Sequence, residues 1–133
     1  MAFQAQFRVI YGDTDAMGFA YYGNYLKWFE IGRAEWFRKS GTSYRELEQR
    51  GLYLPVLEAH CSYLKPAFYD DLLTINTSFT FEGPAKLRFE YEILRDGEVI
   101  TRGYTLHACM NTDHKVQKPP PYLRELLESG RER

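Results

Sequence analysis

The stretch that decides the fold is Tyr11-Gly12-Asp13-Thr14-Asp15-Ala16-Met17-Gly18-Phe19-Ala20-Tyr21-Tyr22-Gly23-Asn24-Tyr25, which leads directly into a long helical pattern. Because glycines at positions 12, 18 and 23 interrupt regular structure, we predict an acidic loop close to the N-terminus of a helix. The first N–H groups of a helix lack intrahelical acceptors and carry the positive end of its dipole. They would polarise a bound carbonyl, while a loop carboxylate attacks its carbon or activates a water.

The helical pattern covers about residues 24–40, with a charged back and a wide apolar stripe. The stripe consists of Tyr25, Leu26, Trp28, Phe29, Gly32, Trp36 and Phe37. We expect one long helix that is buried on most of its circumference. A glycine in mid-helix is costly, so Gly32 predicts close approach of another backbone. Gly41 is the expected C-terminal stop.

Strand patterns occupy most of the remaining chain. Alternating or β-rich segments cover residues 3–11, 56–64, 72–82, 87–95 and 99–110. Turn sequences at Gly83-Pro84 and Asp96-Gly97 join the later strands as hairpins. One strand, one long helix and four further strands predict an α+β fold in which an antiparallel sheet wraps around a central helix.

Two shorter helices complete the prediction. Ser43 and Glu46 fit a capping box, so a second helix is expected to run to about Arg50. Three prolines at 119–121 form a rigid spacer, and the leucines after it predict a terminal helix that ends near Gly130.

Composition restricts the class of protein. The 133 residues are 44% hydrophobic and 26% charged, which is typical of one soluble domain, here residues 1–133. A net charge of -1 argues against a nucleic-acid partner. No apolar run reaches the roughly 20 residues of a membrane span, and no leader pattern is evident, so we expect a cytoplasmic protein with no membrane partner. Two cysteines, Cys61 and Cys109, are too few for a disulfide scaffold.

The acidic stretch resembles a known enzyme family. The pattern Tyr-x-Asp-Thr-Asp-x-x-Gly, a hydrophobic pair, Tyr-Tyr-x-Asn-Tyr and a helix is similar to the 4-hydroxybenzoyl-CoA thioesterase-like branch of hotdog-fold acyl-CoA thioesterases. The resemblance continues through residues 30–36 and 63–71. It implies a hotdog fold that hydrolyses an acyl-CoA thioester to a carboxylic acid and free CoA, with no metal or cofactor. It also implies a homodimer or homotetramer with its clefts at a subunit interface, which the 17% aromatic content would suit.

The resemblance assigns roles to individual residues. Asp15 matches the carboxylate that acts as nucleophile or general base, and Tyr22 matches the residue whose backbone N–H donates to the oxyanion. The substrate-binding candidates are Gly18, Gly23, Tyr25, Lys65, Lys86 and Arg88. The structural alternative is that Asp13 and Asp15 only cap turns, and we interpret Asp13 in that way.

The nucleotide of coenzyme A should meet basic side chains, for which Lys65, Lys86 and Arg88 are the candidates. The turn at residues 82–85 is non-basic where some members of the family carry arginine and lysine. A carrier-protein thioester therefore stays open as the substrate. Glu30 matches a commonly acidic position of the family, but a salt bridge with Lys27 or Arg33 on the helix explains it equally well.

Two other functions remain open. A hotdog dehydratase or hydratase resembles a His-plus-acid site, but position 19 is Phe. A non-enzymatic module that binds acyl thioesters would use the aromatic cleft without turnover. His107 and Cys109 are too few for a zinc site, so we expect them to be satisfied core residues.

Overall fold

The computed structural model describes residues 3–132, and the side chains of residues 3–130. The predicted domain of residues 1–133 extends beyond this range at both ends. The helices are α1 (Asn24–Lys39), α2 (Tyr44–Gln49) and α3 (Pro121–Glu132). The strands are β1 (Phe3–Arg8), β2 (Val56–Tyr63), β3 (Leu72–Glu82), β4 (Lys86–Arg95), β5 (Glu98–His107), β6 (Cys109–Met110) and β7 (Val116–Gln117).

The five long strands form one antiparallel sheet in the order β1-β3-β4-β5-β2, and β6 pairs with β7. The α+β architecture predicted from the strand and helix patterns is therefore confirmed. Strand β2 follows the helices in sequence, and among residues 3–132 it pairs with β5 alone, so it forms one edge of the sheet. This crossover brings the end of β2 back to the start of α1.

Helix α1 packs on the inner face of the sheet, where alternate side chains of β3 and β4 are buried. The ring of Phe29 stacks on Tyr91 at 4.4 Å between centroids. At Gly32 an added Cβ would meet the side chains of Thr77 and Ile75, so the close neighbours are side chains and not the predicted backbone. Leu26, which the sequence assigned to the buried stripe, is 45% exposed.

Several element ends differ from the prediction. Strand β1 ends at Arg8 because the backbone of Val9 bonds to Asp71 and residues 11–13 form a 3-10 turn. Strand β5 ends at His107, since Ala108 donates to the carbonyl of Pro55. Helix α3 continues past Gly130.

The turn predictions are confirmed, and the predicted capping box is formed in one half. Ser43 Oγ accepts the backbone N–H of Glu46 at the start of α2, whereas the Glu46 carboxylate accepts from the Thr42 hydroxyl at 3.1 Å. Asp96 and Gly97 have φ of 51° and 80°, the left-handed conformation of a two-residue hairpin turn. Gly41 ends α1 with φ of 101°. No helix among residues 3–132 is long and apolar enough to cross a membrane.

Candidate active site

The acidic loop is fastened to α1 by Asp13. This carboxylate is 5% exposed, and its Oδ1 accepts Lys27 Nζ at 3.0 Å. Its backbone carbonyl accepts the N–H of Tyr21 at 2.7 Å and the side-chain amide of Asn24 at 2.8 Å. Asp13 is thus a structural member of the loop, and it sets where the chain enters the helix.

Asp15 lies at the base of a tight turn in the same loop. Its N–H donates to the carbonyl of Phe19 at 2.8 Å, and its Oδ1 accepts the N–H of Met17 at 2.9 Å. The turn needs Gly18, whose φ of 83° favours glycine. Asp15 Oδ2 has no hydrogen-bond partner among the described residues. One oxygen therefore caps the turn, and the other is available for chemistry.

A cleft of about 370 Å³ opens beside this carboxylate, between the acidic loop and the end of β2. We call it the Asp15 cleft. It is lined by Asp15, Met17, Phe19, Ala20, Tyr22, Tyr25, Tyr63, Leu64, Lys65 and Pro66. The structure brings four of the candidates predicted from the sequence to one place: Asp15, Tyr22, Tyr25 and Lys65. The remaining lining is mostly aromatic or aliphatic, which suits an apolar acyl group.

The start of α1 faces this cleft with unused donors. The N-cap residue is Gly23, and no side chain caps the helix. The backbone N–H groups of Asn24 and Tyr25 bond back to Tyr21 and Tyr22. Within residues 3–132, by contrast, the N–H groups of Tyr22 and Gly23 have no acceptor. A carbonyl oxygen placed here would gain both a hydrogen bond and the positive end of the helix dipole.

Glycine is needed at position 23 for a different structural reason than at position 18. Its φ is −65°, which any residue adopts. An added Cβ would lie 2.9 Å from the ring of Tyr21. Gly23 therefore gives room to the packed tyrosine rings, and backbone freedom is not what the position requires.

Tyr63, which sequence reasoning did not single out, joins β2 to this helix start. Its hydroxyl donates to the carbonyl of Tyr22 at 2.9 Å, and its ring packs edge-on against Tyr25 at 4.9 Å. Burial and a hydrogen bond to the Cys61 thiol raise the pKa of Tyr63, so the hydroxyl stays a donor at neutral pH. Burial also raises the pKa of Tyr25. The resemblance at residues 63–71 was the signal that could have identified Tyr63.

The basic candidates separate into two groups. Lys65 lines the cleft and pairs with Glu98 at 2.8 Å. Lys86 and Arg88 lie at the other end of the sheet, near the start of β4, and neither lines the cleft of its own chain. Arg88 instead pairs with Glu90 at 3.0 Å and lies over the ring of Tyr104 on the outer sheet face.

Comparison with known proteins assigns most of the chain to one family. Residues 9–128 match the model of the thioesterase-like superfamily. The chain belongs to this superfamily. It is 32% identical over 120 residues to the acyl-CoA thioesterase YbgC of Haemophilus influenzae, covering 90% of this chain and 87% of that relative.

Solved structures agree with the superfamily assignment. A protein of Aquifex aeolicus with no stated activity superposes with a TM-score of 0.90 at 29% identity, covering 94% of this chain and 98% of the other. The DHNA-CoA thioesterase of Staphylococcus aureus superposes with a TM-score of 0.89 at 30% identity, covering 96% and 87%. The superfamily member described here therefore has the hotdog fold that its motif predicted.

Two predictions about individual side chains have clear outcomes. His107 is a satisfied core residue: its Nδ1 donates to the carbonyl of Leu54 at 3.0 Å, and its Nε2 bonds to Thr105 Oγ1 at 2.9 Å. Burial lowers the pKa of His107 to about 4. The proposed salt bridge of Glu30 is wrong for both partners, because Lys27 pairs with Asp13 and Arg33 bonds to two tyrosine hydroxyls.

Proposed function

We propose that this protein is a hotdog-fold acyl-CoA thioesterase, which hydrolyses an acyl-CoA to a carboxylic acid and free CoA. The observation that carries the proposal is the placement of an available Asp15 carboxylate oxygen and the unused Tyr22 N–H in one aromatic cleft. The membership of the thioesterase-like superfamily supports the same chemistry.

The proposed reaction uses the two groups in turn. Asp15 either attacks the thioester carbonyl carbon itself or removes a proton from the water that attacks it. The carbonyl oxygen becomes an oxyanion, to which the Tyr22 N–H donates; one such donor is typically worth about 10²–10³ in rate. Collapse of the tetrahedral intermediate breaks the C–S bond, and CoA leaves as a thiolate. With Asp15 as nucleophile, water then hydrolyses the acyl-enzyme anhydride.

We further propose that the working form is a homodimer or homotetramer. Strand β2 is a sheet edge with exposed apolar side chains, Val56 at 51% and Leu57 at 48%, which a second copy would cover. Lys86 and Arg88 do not line their own cleft, so in this proposal they contact the nucleotide of a substrate bound by another copy. Size-exclusion chromatography with light scattering tests the assembly, and a monomer that hydrolyses thioesters would contradict it.

The proposed setting is the cytoplasm, where acyl-CoA and acyl carrier protein thioesters are both candidate substrates. Both cysteines are free, as a reducing compartment allows. Parallel assays with the same acyl group on CoA and on carrier protein distinguish the two carriers through their kcat/KM values.

The decisive experiment measures thiol release over short, medium, long and aromatic acyl-CoAs, for wild type beside Asp15→Asn. We expect wild type to hydrolyse at least one substrate and the variant to lose about 10² or more in rate, because Asn keeps the shape and removes the carboxylate. Asp96→Asn is the matched control, since Asn tolerates the left-handed turn at that position.

Each other outcome has a definite meaning. Equal hydrolysis by wild type and Asp15→Asn would reject the assignment of Asp15. Binding of an acyl-CoA without release of thiol would support the acyl-thioester-binding module. Hydration of an enoyl-CoA, measured as the loss of its conjugated absorbance, would support the hydratase.

A further inference from the structure

A second cleft lies along α1, on the side of the helix that α2 approaches. Its volume is about 680 Å³, and we call it the Arg33 cleft. The charged and hydroxyl-bearing side chains that matter in its lining are Glu30, Arg33, Arg38, Tyr44, Arg45 and Glu48. None of these residues lines the Asp15 cleft.

The unusual feature of this cleft is a buried cation with no counter-ion. Arg33 is 8% exposed, yet no carboxylate among the described residues forms an ion pair with it. Its Nε donates to Tyr44 Oη at 2.8 Å, and its Nη1 donates to Tyr91 Oη at 3.0 Å. Because buried charges are normally paired, this guanidinium lacks the anion that would complete its surroundings.

The hydrogen bonds within the protein leave two donors of this cleft without an acceptor. His107 Nδ1 donates to a carbonyl, so its Nε2 must accept from Thr105, and Thr105 must accept from Tyr91. The Tyr91 hydroxyl therefore donates its proton to Thr105 and accepts from Arg33, so it has no donor left for a ligand. Arg33 Nη2 and the proton of Tyr44 Oη, however, have no acceptor within residues 3–130. Both residues line the cleft, so these donors are available to a ligand.

The rim adds further charge of both signs. Arg38 pairs with Glu35 at 2.6 Å, whereas Arg45 is exposed and has no ion-pair partner among the described residues. Glu30 and Glu48 are the carboxylates of the cleft, and neither forms an ion pair with a side chain of residues 3–130. With Arg38 neutralised by Glu35, the cleft has two arginines and two glutamates, and the buried member of the set is Arg33. The preference for an anion therefore comes from the buried guanidinium of Arg33 and not from an excess of positive charge.

We propose that the Arg33 cleft binds an oxyanion, a phosphate or carboxylate group, through the free edge of the Arg33 guanidinium, the Tyr44 hydroxyl and Arg45. The planar guanidinium fork matches two oxygens of such a group. This proposal does not depend on thioester hydrolysis, because its ligand is held by residues outside the Asp15 cleft.

The test uses inorganic phosphate as the probe. The thermal unfolding midpoint of wild type is measured against phosphate concentration at constant ionic strength, with chloride as the replacement ion. Binding to the native state raises the midpoint in a saturable way, which gives a Kd. We expect Arg33→Gln to weaken phosphate binding by more than tenfold and Arg45→Gln by about tenfold, as for lost charge-assisted hydrogen bonds.

Because Arg45 is exposed, Arg45→Gln should fold, and it tests the proposal even if Arg33→Gln does not fold. Arg102→Gln is the matched control, because Arg102 is an exposed arginine on the outer sheet face. Saturable stabilisation that is lost in Arg45→Gln and kept in Arg102→Gln supports the site. No stabilisation of wild type, or equal stabilisation of all variants as a general salt effect would give, overturns it.

Two further binding measurements identify the source of the oxyanion. If Arg45→Gln weakens binding of free CoA but not of pantetheine, the group is a phosphate of the coenzyme. If it weakens binding of phosphate and leaves CoA unchanged, the ligand is a separate anion. Both results support the site, and neither depends on turnover by Asp15.

Discussion

The Asp15 cleft and the Arg33 cleft lie on the same helix but are built in different ways. Asp15 is held by hydrogen bonds within its own short loop, at a half-exposed position. Arg33 is held by hydroxyls from α2 and β4, and through Thr105 and His107 by β5. A side chain fixed locally can change without disturbing the core, whereas one fixed by several elements cannot. Substitutions in the first cleft should therefore alter rate, and substitutions around the second should alter stability.

The largest expected effect is on the rate, at Asp15. Asp15→Asn should lower kcat/KM by about 10² or more and change the free energy of unfolding by no more than about 0.5 kcal/mol. Thiol-release kinetics and urea denaturation on the same preparation measure both quantities. A variant that loses stability in proportion to its activity would break the contrast between the two clefts.

At Tyr91 we expect a loss of stability with little change in rate. Tyr91→Phe removes one buried hydrogen-bond partner from Arg33 and one from Thr105, so the free energy of unfolding should fall by about 1–3 kcal/mol. The kcat of the folded protein should change far less than in Asp15→Asn. Urea denaturation measures the loss, with Tyr104→Phe as control, because the Tyr104 ring lies on the outer sheet face beneath Arg88. Equal stability of the two variants would show that the buried chain of hydroxyls contributes nothing.

Acid should weaken the buried region through His107. Its pKa is lowered to about 4 in the folded state, so between the unfolded value near 6.5 and pH 4 the unfolded chain binds more protons. From this group alone, stability should fall by about 1.4 kcal/mol for each pH unit between roughly pH 6.5 and pH 4, and should not change above that range.

Urea denaturation at a series of pH values measures this slope, and His107→Gln provides the comparison. Gln keeps one donor and one acceptor but does not titrate, so its slope between pH 6.5 and 4 should be smaller. An unchanged slope in His107→Gln would assign the acid sensitivity to other groups.

The smallest expected effect is at Tyr63. Tyr63→Phe removes the hydrogen bond to the Tyr22 carbonyl, which steadies the peptide next to the proposed oxyanion donor, so kcat should fall by about two- to tenfold. KM and the unfolding free energy should change little, because the ring still packs on Tyr25. Tyr69→Phe, an exposed tyrosine outside the cleft lining, is the control in the same kinetic assay. A change in KM alone would assign Tyr63 to substrate contact and not to positioning.

The sequence determined the elements and the loop. The alternation in β3 and β4 and the helical spacing of α1 depend on residues a few positions apart, and so do the turns at Gly41 and Asp96-Gly97. The Asp-Thr-Asp stretch indicated both the superfamily and the loop at the start of α1. These features rest on local backbone preferences and on the periodicity of apolar side chains, which a single sequence displays.

Tertiary structure alone decided which distant side chains meet. Strand order and register placed Tyr63 beside Tyr22 and left Lys86 and Arg88 far from the cleft of their own chain. They also buried Arg33 between tyrosines that lie 11 and 58 positions away in the chain. No periodicity encodes such contacts, because they depend on how separate elements pack. Asp15 could therefore be proposed from the sequence, whereas the proposal for Arg33 required the fold.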